Sequence, residues 1–141
     1  MTRFASVEAL LDDARSRIER LTPVEARERQ RHGSQLVDIR PAWQREEDGE
    51  IPGALVVERN HLEWRLHPGS GAALALTDRV DEWIVVCTEG YTSSLAAAAL
   101  CSLGIAAADI DGGLRAWITA GLPVSRTVTA VEDVVPELAV A

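Results

Sequence analysis

Cys87 stands in "VVCTEGYTSS", residues 85 to 94, where a continuously apolar run stops and a glycine-bearing, hydroxyl-rich turn starts. A thiol in that place has two readings. As a small apolar side chain it packs at a strand end; as a nucleophile it sits over backbone amides that stabilise its thiolate. The turn Thr88 to Thr92 leads into a helix, and the free N–H groups and dipole of a helix N-terminus form an anion site. Gly90 lets the backbone curl so that successive amides point inward, which a Cβ hinders. Thr92, Ser93 and Ser94 add hydroxyl donors and acceptors at the rim.

Composition removes most competing chemistries. The 14 basic residues are all arginines, so Schiff-base chemistry and a lysine general base are excluded. His32, His61 and His67 are scattered without ligand spacing, and Cys101 is the only other cysteine, so the sequence calls for no metal and no disulfide framework. Cys101 falls on a helix face that packs on the sheet and reads as buried, with a resolving thiol as the alternative. A net charge of −8 argues against a nucleic-acid partner. No window has the apolar length of a membrane span, and the first residues carry acids where a signal peptide is apolar. The chain therefore reads as cytoplasmic, with neither nucleic acid nor membrane as partner.

At 141 residues with 47% hydrophobic side chains the chain suits one domain with a real core. Apolar residues from Val7 to Leu21 recur at helical spacing, giving a helix over 6 to 20. "TPVE" is a capping box with proline at the first helical position, so a second helix starts at Pro23 and ends at Gly33. "QLVDI" at 35 to 39 and "IPGALVV" at 51 to 57 read as strands, with a polar helical turn between them. A helical turn carries Leu62, Trp64 and Leu66. "WIVVC" at 83 to 87 has the unbroken apolar character of a strand covered on both faces. A helix follows over 92 to 103, then a weak strand over 105 to 110 and a last helix in "GGLRAWITAG". Alternating strands and helices imply an α/β fold with a mostly parallel sheet. Three units result: an N-terminal helical extension over 1–34, a main domain over 35–124, and a tail over 125–141 that is loose or a docking arm. Trp43, Trp64, Trp83 and Trp117 read as packing residues.

"CTEGYT" at 87 to 92 resembles the six-residue active loop of the rhodanese-like (thiosulfate sulfurtransferase-like) family: Cys, two variable residues, Gly, one variable residue, then Thr, Ser or Arg. "LVDIR" at 36 to 40, "GEIPGAL" at 49 to 55 and "DGGLRAW" at 111 to 117 resemble further family motifs in the same order. The resemblance spans Leu36 to Val124. It implies a parallel five-stranded sheet flanked by helices, and a sulfurtransferase in which Cys87 takes a sulfane sulfur as a persulfide and passes it to a thiol or cyanide-like acceptor. The amides of Thr88, Glu89, Gly90, Tyr91 and Thr92 then cradle the negative sulfur, so no cofactor is required. The implied partners are a small-molecule or protein persulfide donor and a thiol acceptor. Other readings are a non-catalytic binding module and, further off, a phosphatase or arsenate-handling enzyme. Relatives of this fold that act as phosphatases have a loop longer by one residue ending in arginine, where this chain has Thr92 and Ser93.

Asp38 and Arg40 match the family's Asp-x-Arg. A carboxylate in an apolar strand needs partners, so Asp38 is expected to anchor loop amides or pair with Arg40 rather than to react. Tyr91 is expected at the rim, touching the acceptor. Two departures stand out. The loop carries Glu89 and no cation, which disfavours a dianionic donor such as thiosulfate relative to a persulfide. Glu50 stands where the family usually has histidine, a position of structural support.

Overall fold

The computed structural model describes residues 2–137. Five strands, β1 (Glu19–Leu21), β2 (Gln35–Asp38), β3 (Leu55–Val56), β4 (Trp83–Val86) and β5 (Ala107–Ile110), form one sheet in the order β1-β5-β4-β2-β3. Every neighbouring pair is parallel. Six α-helices flank it: α1 (Val7–Arg15), α2 (Pro23–Arg31), α3 (Ala42–Asp48), α4 (Leu62–Leu66), α5 (Thr92–Ser102) and α6 (Gly113–Thr119). The parallel, five-stranded α/β architecture expected from the sequence is present.

Alternation along the strands sorts the core into two layers. Leu36, Ile84, Val86, Ala108 and Ile110 pack toward Ala26 of α2 and Leu114 and Trp117 of α6. Val37, Val85, Cys87 and Ala107 pack toward Leu62 and Leu66 of α4 and Ala96, Ala97 and Leu100 of α5. This is the period of two that a pleated strand imposes. Fully burying a side chain such as Ile84 contributes about 1.5–3 kcal/mol. Its consequence for the site is directional: Cys87, one residue past β4, inherits the α5 side and arrives at the start of that helix.

The capping box at α2 is formed as read, with Thr22 Oγ1 accepting from Glu25 N and Glu25 Oε1 accepting from Thr22 N. The N-terminal helix differs from expectation. It ends at Arg15, and Glu19–Leu21 becomes the edge strand β1, in register with Ala108 to Ile110. Helical spacing continues through this stretch, but sheet hydrogen bonds such as Asp111 N to Leu21 O (2.8 Å) and burial of Leu21 favour the extended form. The strand read over 51 to 57 shrinks to Leu55–Val56, because Pro52 lacks a donor and Gly53 has φ +86°.

The segment after Pro123 runs back along the β3 edge. Glu50 and Ser125 exchange backbone hydrogen bonds, Val56 N donates to Asp133 O, and Val135 N donates to Ala54 O. Val135 joins the core. Residues 138–141 of the expected tail lie outside the described residues. Of the four tryptophans, Trp83 and Trp117 are buried, and Trp117 Nε1 donates to Pro123 O at 2.8 Å. Trp43 and Trp64 are exposed instead of packed. They sit on the short helices α3 and α4, whose inward positions are taken by Arg45 and by Leu62 and Leu66.

Candidate active site

The strand-to-helix junction folds the backbone around one sulfur. Cys87 Sγ accepts from Gly90 N at 3.2 Å and from Ser93 N at 3.4 Å, the second amide belonging to the first turn of α5. Gly90 makes the curl with φ +87°, a conformation that a Cβ would strain. The thiol is 4% exposed and lines a cavity of about 330 Å³ together with Ile39, Arg40, Gln44, Arg59, Tyr91 and Thr92.

The loop's carbonyls are held elsewhere. Leu114 N donates to Cys87 O at 2.8 Å and Arg115 N to Thr88 O at 3.1 Å, so the N-terminus of α6 takes the first two. Gly113 makes that approach possible, since a Cβ on it would lie 2.5 Å from Cys87 O and 2.7 Å from Thr88 O. Gly90 O is taken by two guanidiniums, Arg15 Nη2 at 2.8 Å and Arg20 Nη2 at 2.9 Å. In a trans peptide the N–H lies opposite its C=O. Drawing the carbonyls of residues 87, 88 and 90 away therefore turns the N–H groups of Thr88, Glu89 and Tyr91 to the other side of the loop. Those amides and that of Thr92 have no acceptor among the described residues. A run of free backbone donors beside a sulfur is a nest for negative charge.

Asp109, fully buried on β5, ties the nest together. Its Oδ2 accepts from Ser93 Oγ and Ser94 Oγ, both at 2.8 Å, and its carboxylate pairs with Arg20 at 3.0 Å. Burial lowers the proton affinity of Arg20, but its hydrogen bond to Asp109 and the charges of Asp109, Asp111 and Cys87 outweigh this and raise it.

Asp38 and Arg40 pair with each other. Arg40 Nε and Nη2 reach the Asp38 carboxylate, the latter at 2.6 Å, and Arg40 Nη2 also donates to Gly49 O. Among the described residues, no amide of the Cys87 loop donates to Asp38. Glu50 is fully buried, bonded to Arg45 at 2.6 Å and to the amide and hydroxyl of Thr129. Glu89 lies at the surface and pairs with Arg115 at 3.2 Å. Tyr91 stands at the rim, 60% exposed. Thr88 Oγ1 bonds Gln44 Oε1 at 3.1 Å. Cys101 is partly exposed, with its thiol on Ala107 O, near the far end of α5. Nine residues of helical rise from Thr92, about 14 Å, separate it from the loop, too far for a resolving thiol in this conformation. Among the described residues no group of His, Cys, Asp and Glu is arranged to hold a metal ion.

The sequence matches the model of the rhodanese-like domain over residues 22–120. The chain belongs to the rhodanese-like domain family. A structure of a protein of unknown function from Rhodopseudomonas palustris, described as a possible tyrosine phosphatase, shares 34% identity and a TM-score of 0.79, over 88% of this chain and 97% of that one. The polysulfide-sulfur transferase homodimer of Wolinella succinogenes shares 22% identity and a TM-score of 0.65, over 83% of this chain and 85% of that one. The thiosulfate sulfurtransferase of Pseudomonas aeruginosa shares 22% identity and a TM-score of 0.63 over 79% of this chain, which corresponds to only 20% of that longer protein. At these last identities the likeness is one of fold. No curated protein matches.

Within this rhodanese-like domain the loop motif was legible residue by residue, while its supports were not. Arg15 and Arg20 meet Gly90 across 75 and 70 residues of sequence, a contact no local pattern reveals. Asp109 did carry a signal, being the one carboxylate in the apolar run "IAAADI", the same signal that drew attention to Asp38.

Proposed function

We propose that this rhodanese-like domain is a sulfurtransferase in which Cys87 carries the transferred sulfur. The observation that carries the reading is the pair of amides, Gly90 N and Ser93 N, on Cys87 Sγ within a loop whose other N–H groups are free. In the first step the Cys87 thiolate attacks the sulfane sulfur of a donor R–S–S⁻. The donor's S–S bond breaks, R–S⁻ leaves with the bonding pair, and a Cys87–S–S⁻ persulfide forms. In the second step an acceptor thiolate or cyanide attacks the outer sulfur and the Cys87 thiolate is released. Each step exchanges one nucleophile for another at sulfur, so no external oxidant or reductant enters. The outer sulfur of the persulfide extends toward the free amides, which stabilise its charge without moving. A small-molecule or protein persulfide serves as donor and a thiol as acceptor, within a cytoplasmic setting that keeps the thiol reduced.

Intact mass spectrometry after incubation with a persulfide donor tests this. A gain of one sulfur by the wild type and by Cys101→Ala, absent in Cys87→Ser, is the expected result. A folded wild-type protein that gains no sulfur and releases no thiocyanate from any donor would leave the binding-module reading in its place.

The Rhodopseudomonas palustris neighbour supplies the second reading, phosphatase chemistry on the same thiolate. Against it stands the loop itself, which has Thr92 and Ser93 where a terminal arginine would clamp the phosphate. Cys87-dependent hydrolysis of an aryl phosphate would favour that reading over sulfur transfer.

A further inference from the structure

The motif that places Cys87 contains no cation, yet two guanidiniums converge on the loop from the chain's first 20 residues. They do different work. Arg20 is locked in place: Nε and Nη2 reach the two oxygens of Asp109 at 3.0 and 3.2 Å, Nη1 reaches Asp111 at 3.0 Å, and Nη2 alone goes on to Gly90 O. Its charge is matched by buried Asp109, so its contribution is geometric. Asp109 also holds the hydroxyl of Ser93, whose amide donates to Cys87 Sγ. One carboxylate thus holds Ser93, whose amide is on the sulfur, by its hydroxyl, and through Arg20 it holds the Gly90–Tyr91 peptide, whose N–H is one of the free donors of the nest.

Arg15 is the last residue of α1. It donates to Gly90 O and to Ser94 Oγ, and its guanidinium lies 5.9 Å from the centre of the Tyr91 ring. Among the described residues it forms no ion pair, so its positive charge is uncompensated beside the loop. Two charged donors on Gly90 O also polarise the peptide whose N–H belongs to Tyr91, strengthening one of the free donors of the nest.

We infer that Arg15 and Arg20 are positioning residues of the Cys87 loop: Arg20 sets the Gly90 peptide by a rigid fork anchored on Asp109, and Arg15 supplies the positive charge that the loop motif lacks. This rests on the sulfurtransferase reading for its meaning, but the test does not. Cys87 alkylation by neutral iodoacetamide and by anionic iodoacetate, across pH, reports loop geometry and local charge without any sulfur transfer. Cys101→Ala serves as the parent, so that one thiol is followed.

Arg15→Gln is expected to lower the iodoacetate-to-iodoacetamide rate ratio about fivefold, with Arg15→Lys restoring it because a point charge suffices there. Arg20→Gln is expected to slow both reagents alike, and Arg20→Lys to fail as a rescue, since an ammonium cannot span Asp109 and Gly90 O together. Where Arg20→Gln alone does not fold, the Arg20→Gln/Asp109→Asn double variant leaves no unpaired buried charge and is expected to show the same slowing. Rates and ratios within twofold of the parent in these folded variants would overturn the inference. A wild type that alkylates as expected but takes up no sulfur would instead leave the positioning role standing and remove the sulfurtransferase reading.

Discussion

Gly113 lies directly behind the nucleophile: a Cβ on it would come within 2.5 Å of the carbonyl oxygen of Cys87, and its φ is +59°. The first turn of α6 is thereby pressed against the loop closely enough for Leu114 N and Arg115 N to hold two loop carbonyls. The second glycine of "DGG" is thus a requirement of the site, although it is 26 positions from Cys87 in the chain (113 − 87).

Gly113→Ala tests this relationship. The contact is with backbone oxygen, which cannot rotate away, and alanine in left-handed backbone adds a conformational cost of about 1–2 kcal/mol. The expected outcome is a loss of stability of about 2 kcal/mol or more in urea denaturation, together with slower Cys87 alkylation at equal folded fraction. Slower alkylation is the decisive part, because a purely local strain would lower stability and leave the thiol's reactivity intact.

Buried strands with continuous apolar character, such as "WIVVC", and capped helices such as α2 announce themselves locally, which is why the parallel α/β sheet and the place of Cys87 were legible in the sequence. Glu19–Leu21 was not, because its pattern suits a helix and only pairing with β5 makes it a strand. The run after Pro123 gave no sign of its path for the same reason: its partners, Glu50 to Val56, lie far back in the chain. Within the site, the sulfur and its loop are contiguous and could be read, whereas Arg15, Arg20 and Asp109 act across the sheet. Sequence exposes what is local, and the support of this nest is almost wholly non-local.

The Glu50–Arg45 pair should behave as a buried ion pair and not as a surface one. Both side chains are 1% exposed or less, and Glu50 also receives the amide and hydroxyl of Thr129. Glu50→Ala leaves Arg45 charged and unpaired in the interior and is expected to cost about 3–5 kcal/mol. The double variant Glu50→Leu/Arg45→Met removes both charges and is expected to be more stable than the single one. Urea denaturation of both variants measures the difference; a single variant as stable as wild type would show that the pair contributes nothing to holding the C-terminal segment.

Acid should weaken two carboxylate contacts of the N-terminal region, those of Glu19 and Glu25. The hydrogen bond from Arg29 holds Glu19 below the ordinary carboxylate value of 4.5, against an opposing effect of burial. The backbone and side-chain hydrogen bonds of the Thr22 cap do the same for Glu25. A carboxylate with a depressed folded value contributes stability that is fully present above its unfolded value and is lost as pH falls through the folded one. Thermal midpoints are therefore expected to be flat in this respect above about pH 5 and to decline below pH 4.5. Glu25→Gln should lower the midpoint at pH 7 and lessen the decline on acidification, because the variant has less to lose. An unchanged slope would assign the acid sensitivity to other carboxylates.

Glu89 decides how well the nest receives a doubly charged donor. It stands in the loop at the mouth of the cavity, and its partner Arg115 is itself well exposed, so water and salt screen the pair and leave part of the negative charge uncancelled. Glu89→Gln is expected to lower the KM for thiosulfate about two- to fivefold, with a smaller effect on a singly charged alkyl persulfide donor. Arg115→Gln should shift thiosulfate the opposite way, since it exposes the full charge of Glu89. Both effects should shrink as ionic strength rises from 0.05 to about 0.5 M, where the screening length falls to roughly 4 Å. Steady-state kinetics with the two donors at two salt concentrations separates this from a change in loop shape, which would alter both donors equally and persist in salt.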